Sequence, residues 1–361
     1  MKSHKKTLKF IIGCALSIFF LFLAFRNVEF RRLAQVFRTI NYWWIIPFIL
    51  ITLLSMYMRS IRWRWILKSR YNFSSVRLFP SLVIGFALNS LLPLRAGEFA
   101  RPFVLARKEK IPYSTLFATV FVERIIDSMT LLFSFLVVLL FVKINPEISV
   151  PLEMGKWKYT ISGHMLENAG RDFTIMIAIL FVFSFSLLLN PTRRIYEGVI
   201  RRLPFFRESF KNKLIELLRH FSEGFHSLRN VKYLAMIALY SLIIWALIGF
   251  SLQVMSWGFP GLPLNFFHGM AVTIIICFAI LLPAAPGYWG LYECGTIFAL
   301  LTLGFISPKD GYETALGFSL MIHSMQTIPI ILLGIFFLWK ENLSLRQIEK
   351  LEEECKVQET V

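Results

Sequence analysis

The chain has 361 residues, of which 56% are hydrophobic, and its mean hydropathy is +0.62. Soluble globular domains are less apolar and lack repeated apolar runs of about 18 residues, so the composition indicates an all-α polytopic membrane protein. The runs are continuous rather than alternating, which argues against a transmembrane β-barrel. The formal net charge of +17 comes from basic residues in the loops between these runs. Basic residues in such loops set the orientation of a membrane protein and attract anionic lipid headgroups, so nucleic-acid binding is not expected.

Six apolar runs are long enough to cross a membrane as helices. The first lacks a small-residue cleavage site, so we predict a retained helix rather than a cleaved signal peptide. The crossings are predicted at about residues 8–25, 43–58, 114–142, 173–190, 233–257 and 314–339. They make residues 1–340 one transmembrane domain, with halves at about 8–143 and 173–340, a basic cytoplasmic amphipathic linker at 191–232 and a polar tail at 341–361.

Two further apolar segments, residues 76–94 and 265–304, are interrupted by proline and glycine. Both carry the pattern Leu-Leu-Pro-x-x-x-Gly, at residues 91–97 and 281–287. Paired interruptions in corresponding halves of a membrane protein indicate a transporter-like binding site near the bilayer midplane. We therefore predict two re-entrant helical hairpins, each of which enters and leaves the membrane on one side.

The basic residues predict the orientation of this topology. With a cytoplasmic N-terminus, 29 of the 39 Lys and Arg residues lie on the cytoplasmic side and 9 lie outside, as the positive-inside rule requires. The first hairpin then enters from the cytoplasm and the second from outside, so the halves are predicted to be inverted repeats with both termini cytoplasmic. The linker is either a solvated loop or a lipid-binding surface, and residues 28–40 have the spacing of an interfacial helix.

Three charged residues, Glu123, Arg124 and Asp127, fall within one long apolar run. A charge at the bilayer centre costs about 2.5 to 3.5 kcal/mol on insertion scales, so these side chains are expected to pair or to face a polar cavity. On a helix, Arg124 and Asp127 can pair, while Glu123 and Asp127 share a face. The group is either a self-neutralising structural cluster or the polar wall of a substrate cavity, and three charges exceed what packing needs.

The first interruption supplies Asn89, Arg95, Gly97, Glu98 and Arg101. Gly97 is predicted to adopt the positive φ angle that ends a re-entrant turn, and Asn89 to satisfy backbone groups freed at the break. Arginine suits bidentate phosphate recognition, and the N-terminus of a half-helix adds donors and positive potential. Arg95 and Arg101 are therefore candidate phosphate ligands, although a positive-inside loop would also place basic residues here.

The second interruption contains Pro283 and Gly287, which favour unwinding and close backbone approach. Glu293 is the only acidic residue within residues 264–305. It is a candidate intramembrane acceptor, proton carrier or partner of Arg124, and an outer-surface glutamate is the alternative. The last crossing carries two polar residues one turn apart, His323 and Gln326. They are candidates either for a substrate-binding site or for hydrogen-bonded packing between helices.

Sequence patterns typical of soluble catalysis are absent. The chain contains no Walker A sequence, no His-Glu-x-x-His and no nucleophile elbow. Its four cysteines have no ligand-type spacing. We therefore expect no enzymatic activity, no cofactor and no metal site.

Three ordered motifs resemble the lysylphosphatidylglycerol synthase transmembrane family, also called flippase-like membrane proteins: Pro93-x-Arg95-x-Gly97-Glu98-x-x-Arg101, Glu123-Arg124-x-x-Asp127 and Pro283-x-x-Pro286-Gly287-x-x-Gly290-x-x-Glu293. The resemblance covers about residues 8–340 and implies a bacterial or archaeal cytoplasmic-membrane protein. In two-domain members, the membrane domain moves an aminoacylated phospholipid between leaflets and a soluble domain attaches lysine; other members are linked to polyprenyl-phosphate sugar lipids. Because the sequence ends at Val361, soon after the last crossing, we expect a stand-alone member without the synthase domain.

We therefore expect the chain to bind and translocate the headgroup of a phospholipid or a polyprenyl-phosphate-type lipid. The arginines expected to bind the phosphate are Arg95, Arg101 and Arg124. The carboxylates expected to bind cationic or hydroxyl groups of the headgroup are Glu98, Glu123, Asp127 and Glu293. The alternatives are a secondary transporter of a small anion and a non-catalytic membrane partner of a lipid- or glycolipid-modifying enzyme. The expected partners are anionic or phosphate-bearing membrane lipids, and a homo-oligomer is compatible with the sequence.

Overall fold

The computed structural model of the chain describes residues 15, 17–26, 28–92, 96–142, 149–154, 157–162, 175, 190–202, 208, 211–212, 215, 230–281, 286–307 and 311–343. Several predicted features lie largely or wholly outside these residues. They are the start of the first crossing, almost all of the crossing at 173–190, most of the basic linker and the tail beyond residue 343.

Most of the described chain is helical. The helices are α1 (17–25), α2 (Phe30–Thr39), α3 (Ile45–Leu67), α4 (Ser75–Leu91), α5 (Gly97–Glu109), α6 (Tyr113–Phe141), α7 (Asn190–Arg202), α8 (Val231–Ser256), α9 (Phe266–Ala279), α10 (Leu291–Thr302) and α11 (Tyr312–Lys340). Short 3-10 turns cover Tyr42–Trp44 and Pro286–Tyr288.

The predicted all-α class is confirmed, and one short two-stranded hairpin accompanies the helices in the described chain. Strand β1 (Ser149–Met154) pairs antiparallel with β2 (Trp157–Ser162), so that Val150 lies opposite Ile161 and Leu152 opposite Tyr159. The segment has strand-forming residues on both sides of a Gly-Lys pair, which is the pattern of a hairpin.

Four helical segments are long and apolar enough to cross a membrane, and they confirm four of the six predicted crossings: Tyr42–Leu67, Tyr113–Phe141, Val231–Ser256 and Tyr312–Lys340. Helix α1 covers the later part of the first predicted crossing. Helices α4 and α9 are apolar but shorter, with 17 and 14 residues, below the roughly 20 residues of a typical crossing.

The first interrupted segment folds back on itself. A Cβ atom built on Gly85 would lie 2.7 Å from the Cβ of Arg101, and one built on Gly97 would lie 2.7 Å from the backbone nitrogen of Asn89. These contacts join residues at equal distances along the chain from the break, so α4 and α5 pack antiparallel. The predicted helical hairpin is present here, while the side from which it enters a membrane stays a prediction.

The second interrupted segment also turns back, and its tip touches the first. A Cβ atom on Gly295 in α10 would lie 2.8 Å from the Cβ of Ala279 in α9. The intervening turn uses positive φ angles, +74° at Gly287 and +91° at Gly290, which glycine adopts without strain. A Cβ atom on Gly287 would lie 3.2 Å from the carbonyl oxygen of Ser90 near the end of α4, so the second break contacts the first hairpin.

The order of elements is the same in the two halves of the described chain. A long helix, a broken hairpin and another long helix follow each other as α3, α4/α5, α6 and again as α8, α9/α10, α11. The two largest clusters of buried apolar side chains each join residues of both halves, with Phe48 beside Val272 and Leu300 in one, and Ile237 and Ile330 beside Trp63 in the other. The inverted relation of the halves stays a prediction.

Helix α2 docks on the last helix. Leu33 is buried on one of its faces, whereas Phe30 is 68% exposed on another. Val36 lies beside Gly317 of α11, and the backbone N–H of Glu29 donates to Glu313 at 3.3 Å. The predicted amphipathic helix at residues 28–40 is therefore present, and it packs against α11 through its apolar face.

Candidate functional site

Five charged side chains from three helices form a buried group, which we call the arginine cluster. Helix α3 supplies Arg59 and Arg62, α5 supplies Arg101, and α6 supplies Glu123 and Asp127; each is less than one tenth exposed. Removing an ion from water costs several kcal/mol unless a partner and hydrogen bonds compensate. Glu123 and Asp127 of α6 therefore face arginines of neighbouring helices and not lipid.

Each carboxylate of the cluster binds a guanidinium group through both of its oxygens. Arg62 donates to Asp127 with Nη1–Oδ1 at 2.5 Å and Nη2–Oδ2 at 3.2 Å. Its Nη1 also donates to the hydroxyl oxygen of Ser241 in α8 at 3.0 Å. Arg101 donates to Glu123 through Nη1 and, at 3.3 Å, from Nη2 to Oε1. Such two-point contacts fix both the distance and the orientation of the charged groups.

An aromatic ring covers one of these arginines. The Cζ atom of Arg101 lies 3.7 Å from the ring centre of Trp63. The indole N–H of Trp63 donates to the hydroxyl oxygen of Thr119 in α6 at 2.9 Å, which holds the ring in place. A desolvated cation over a tryptophan face gains about 2 kcal/mol, so this contact offsets part of the cost of burying Arg101.

Arg124 and Glu98 extend the arginine cluster to its exposed edge. Arg124 Nη2 lies 3.2 Å from Asp127 Oδ2, as the spacing on α6 predicts, and its Nη1 lies 3.9 Å from Glu98 Oε1. The side chain of Arg124 is 38% exposed and that of Glu98 is 25% exposed. Among the described residues the extended cluster joins four guanidinium groups to three carboxylates and so carries one excess positive charge.

The excess charge is most evident at Arg59. Its closest carboxylate oxygen, Asp127 Oδ2, is 3.9 Å from Nη1, which is beyond hydrogen-bonding distance. Its guanidinium lies 5.2 Å from the ring centre of Phe86, and its buried Nε has no hydrogen-bond partner in the described part of the chain. Arg59 is thus a buried cation with unused donors.

Sequence reasoning missed Arg59 and Arg62. The predicted crossing ended at residue 58, because arginines after an apolar run usually mark the end of the membrane segment, whereas α3 continues to Leu67. A signal was present in the spacing of polar residues along this helix. Thr52, Ser55, Arg59 and Arg62 recur every three or four residues, and all four are buried.

A second buried group, which we call the histidine cluster, lies at the second break. The imidazole of His323 in α11 has Nδ1 2.7 Å from Glu293 Oε1 and Nε2 2.8 Å from the carbonyl oxygen of Gly287. The backbone N–H of Gly290 donates to Glu293 Oε2 at 2.6 Å, so the carboxylate caps the first turn of α10. Glu293 is fully buried and His323 is 3% exposed.

Aromatic rings and an amide enclose the histidine cluster. The rings of Trp289 and Tyr292 each lie 4.2 Å from the imidazole of His323. The hydroxyl of Tyr292 donates to Gln326 Oε1 at 3.1 Å. No group of three or more His, Cys, Asp or Glu side chains that could hold a metal ion occurs in the part of the chain that the structure describes.

The candidate residues divide between two groups instead of lining one. The arginine cluster contains Glu98, Arg101, Glu123, Arg124 and Asp127, and the histidine cluster contains Gly287, Glu293, His323 and Gln326. The suggested pairing of Glu293 with Arg124 is wrong, because the first turn of α10 directs Glu293 to His323. Two further candidates, Arg95 and Pro283, lie outside the described residues.

Gly97 has a different role from the one predicted. Gly97 begins α5 and is not among the described glycines with positive φ. Its importance is steric, since a Cβ atom would lie 1.8 Å from the carbonyl oxygen of Gly85. Asn89 lies against Gly97, and its buried Oδ1 accepts no hydrogen bond in the described structure. Its expected role at the break stays a prediction, because residues 93–95 lie outside the described residues.

Residues 10–334 match the family described as the lysylphosphatidylglycerol synthase TM region. The chain belongs to this family. The match covers nearly the whole sequence, and it confirms the resemblance that the three motifs indicated. The chain is thus a membrane protein of the lysylphosphatidylglycerol synthase TM family, in agreement with its four long apolar helices.

The chain is similar to a glycosyltransferase and to UPF0104 membrane proteins. Glycosyltransferase AglD of Haloferax volcanii is 24% identical over 310 residues, which are 80% of this chain and 47% of that protein. UPF0104 membrane protein PH1989 of Pyrococcus horikoshii is 26% identical over 258 residues, covering 67% of this chain and 70% of the relative. The chain thus spans about half the length of AglD. No solved structure matches the chain.

Proposed function

We propose that this family member is a flippase-like protein that holds the phosphate of a lipid headgroup in the arginine cluster and moves the headgroup across the membrane. The observation that carries the proposal is the unbalanced charge. Four arginines face three carboxylates among the described residues, and Arg59 donates a hydrogen bond to none of them. A phosphodiester brings one negative charge and several acceptor oxygens, which would neutralise the excess and satisfy Arg59.

The surroundings of the exposed edge support a lipid over a soluble anion. Phe121 lies one turn before Arg124 on α6 and is 43% exposed, and Phe99 follows Glu98 on α5 and is 38% exposed. The ring of Phe117 packs against both at about 5 Å. A lipid would place its phosphate among the arginines and its acyl chain against these aromatic rings. A small soluble anion has no apolar part that would bind to these aromatic rings.

The meeting of the two breaks supports transport over simple binding. The tip of the second hairpin, at Gly287, contacts the end of α4 at Ser90, and the first hairpin carries Arg101 into the arginine cluster. A change in the packing of one hairpin against the other would change access to the cluster, as in transporters with paired broken helices. In this proposal the protein lies in a bacterial or archaeal cytoplasmic membrane with both termini in the cytoplasm. It catalyses no chemical reaction on the lipid.

The proposal is tested by translocation of a fluorescent phosphate-bearing lipid in proteoliposomes that contain the purified protein. We expect Arg59→Gln to reduce the rate at least about tenfold, because a hydrogen bond to a charged group contributes about 1.5 to 3 kcal/mol. Arg64→Gln is the matched control. Arg64 lies on the same helix, is only partly buried and forms no ion pair in the described structure, so its replacement is expected to leave the rate unchanged.

Three results would overturn the proposal. Equal rates for wild type, Arg59→Gln and Arg64→Gln would remove the arginine cluster from lipid handling. Uptake of inorganic phosphate into the vesicles, without movement of the labelled lipid, would favour the small-anion transporter. Absence of both activities, together with co-purification of a lipid- or glycolipid-modifying enzyme, would favour a membrane partner. Equal melting temperatures of the variants would show that a lost activity is not a lost fold.

A further inference from the structure

The histidine cluster has more hydrogen-bond acceptors than a neutral imidazole facing an ionised carboxylate can satisfy. The carbonyl oxygen of Gly287 can only accept, so His323 Nε2, at 2.8 Å, carries a hydrogen. The contact between Nδ1 and Glu293 Oε1, at 2.7 Å, requires a second hydrogen between these atoms. That hydrogen belongs either to an imidazolium facing a carboxylate or to a carboxylic acid facing a neutral imidazole.

Both arrangements hold the same number of protons and differ only in where the shared proton lies. Removing it would leave the lone pair of Nδ1 facing an ionised carboxylate oxygen at hydrogen-bonding distance. Two acceptors in that position repel each other, and both side chains are buried, so bulk solvent screens the repulsion little. The contact between α10 and α11 at this point therefore depends on a bound proton.

The neighbouring groups supply no substitute for this proton. Within the described chain, Glu293 forms its one ion pair with His323, and Glu293 Oε2 is already occupied by the Gly290 N–H. Among the described residues, Tyr292 and Cys294 of α10 lie near Glu293, and Cys277 of α9 lies near Tyr292. None of these carries a positive charge, so a proton is the ligand that fits the position.

The proton site is built into the break that touches the first hairpin. His323 contacts the carbonyl oxygen of Gly287, and a Cβ atom built on Gly287 would lie 3.2 Å from the carbonyl oxygen of Ser90. The next residue along α4 toward its start, Asn89, lies against Gly97 of α5, and α5 carries Arg101. A change at His323 thus has a continuous packed route to the arginine cluster.

We infer that the His323–Glu293 pair is a proton-binding site that keeps the second break docked on the last helix while it is occupied. Loss of the proton releases the Gly287 turn and alters its contact with the first hairpin. Translocation of the headgroup at the arginine cluster is consequently proton-dependent. The site itself stands on its own geometry, whereas this last step rests on the proposed function.

One substitution separates proton binding from folding. In Glu293→Gln, the side-chain amide nitrogen can donate to His323 Nδ1 while the amide oxygen accepts from the Gly290 N–H. The variant therefore reproduces every hydrogen bond of the protonated pair without a titratable carboxyl. It is expected to fold with a melting temperature close to that of the wild type. His268→Gln is the matched histidine control, because His268 lies at the start of α9 and caps that helix away from the pair.

The experiment compares infrared difference spectra of the protein in lipid nanodiscs between about pH 5 and about pH 9, the range in which imidazole and buried carboxyl groups titrate. The wild type is expected to show a titration of carboxyl or imidazole bands that disappears in Glu293→Gln and in His323→Gln and persists in His268→Gln. Lipid translocation is then measured over the same pH range. We expect a pH-dependent rate for the wild type and His268→Gln and a rate independent of pH for Glu293→Gln.

The outcomes distinguish the two proposals. Identical titrations in wild type and Glu293→Gln would overturn the proton site, whatever the transport result. A titration that depends on Glu293, in a protein that moves no lipid, would establish the proton site and refute the proposed function. A titration that depends on Glu293, with equal pH profiles of translocation in wild type and Glu293→Gln, would refute the coupling alone.

Discussion

Gly97 and Gly85 are in direct backbone contact: a Cβ atom on Gly97 would lie 1.8 Å from the carbonyl oxygen of Gly85. Because neither glycine has a side chain, the backbones of α4 and α5 touch directly at this point. Small residues serve this purpose in membrane proteins, where lipid removes the hydrophobic drive for helix association and close packing replaces it. The same approach positions Arg101, one turn farther along α5, to bind Glu123.

Replacement of Gly97 by alanine is expected to destabilise the protein. Overpacking typically costs about 1 to 3 kcal/mol, and here the obstructing atom belongs to the backbone and cannot rotate away. Thermal unfolding in detergent should show a lower melting temperature for Gly97→Ala. Gly198→Ala is the control, since Gly198 lies in helix α7 with no atom within 4 Å of an added Cβ. Equal melting temperatures for both variants would contradict the close contact.

Replacement of Gly287 by alanine is expected to impair translocation more than stability. Gly287 has a φ of +74° and Gly304 a φ of +76°, so alanine is strained to the same degree at both, by about 1 to 2 kcal/mol. Only the Cβ at position 287 meets neighbours, the carbonyl oxygen of Ser90 and the ring of Trp289. Lipid translocation should therefore fall in Gly287→Ala and persist in Gly304→Ala. If the two variants lose equal activity, the contact between the breaks has no role in transport.

Removal of Arg62 is expected to leave a buried carboxylate without its main partner. Breaking one side of a buried ion pair costs about 3 to 5 kcal/mol. Chemical denaturation should show this loss for Arg62→Ala and a change within about 0.5 kcal/mol for Arg64→Ala, which removes an arginine from the same helix without breaking a pair. Asp127→Asn in the Arg62→Ala background should restore part of the stability. Strict additivity of the two substitutions would show that Arg62 and Asp127 are not coupled.

Neutralising Glu98 is expected to strengthen the binding of a phosphate-bearing lipid. The carboxylate lies 3.9 Å from Arg124 at the exposed edge, and Glu98→Gln raises the excess positive charge of the cluster by one. The gain should be roughly two- to fivefold in affinity, because partly exposed pairs contribute about 0.2 to 1 kcal/mol. Titration of a fluorescent lipid into nanodiscs measures it. Glu109→Gln removes the same charge from α5 at a site that pairs with Arg77, and an equal gain there would exclude a local effect.

Much of the architecture was predictable because the signals are local. A run of apolar residues predicts a spanning helix wherever it occurs, and four of these runs are spanning-length helices in the structure. Proline and glycine interrupt a helix through their own backbone chemistry, and both predicted breaks are present, in the turn before α5 and at Gly287. The motifs around them also identified the family.

Local signals failed where a residue's usual role was overridden by its neighbours. Arginine after an apolar run normally marks the membrane surface, so Arg59 and Arg62 were assigned to a loop. In the structure Arg62 is fully buried, because Asp127 of another helix supplies the charge that permits its burial. Gly97 was read as a turn residue, although its function in the structure is close packing.

The sequence by itself determined which segments are helical, where two of them break, which charges lie among apolar residues and to which family the chain belongs. Only the tertiary structure decided which charges meet. Arg62 and Asp127 are 65 positions apart and Glu293 and His323 are 30 apart, and no periodicity along the chain encodes such pairs. These pairs form only when the hairpins pack between the long helices. A buried charge is costly without a partner, so Arg62 lies beside Asp127 in one site and Glu293 lies beside His323 in the other.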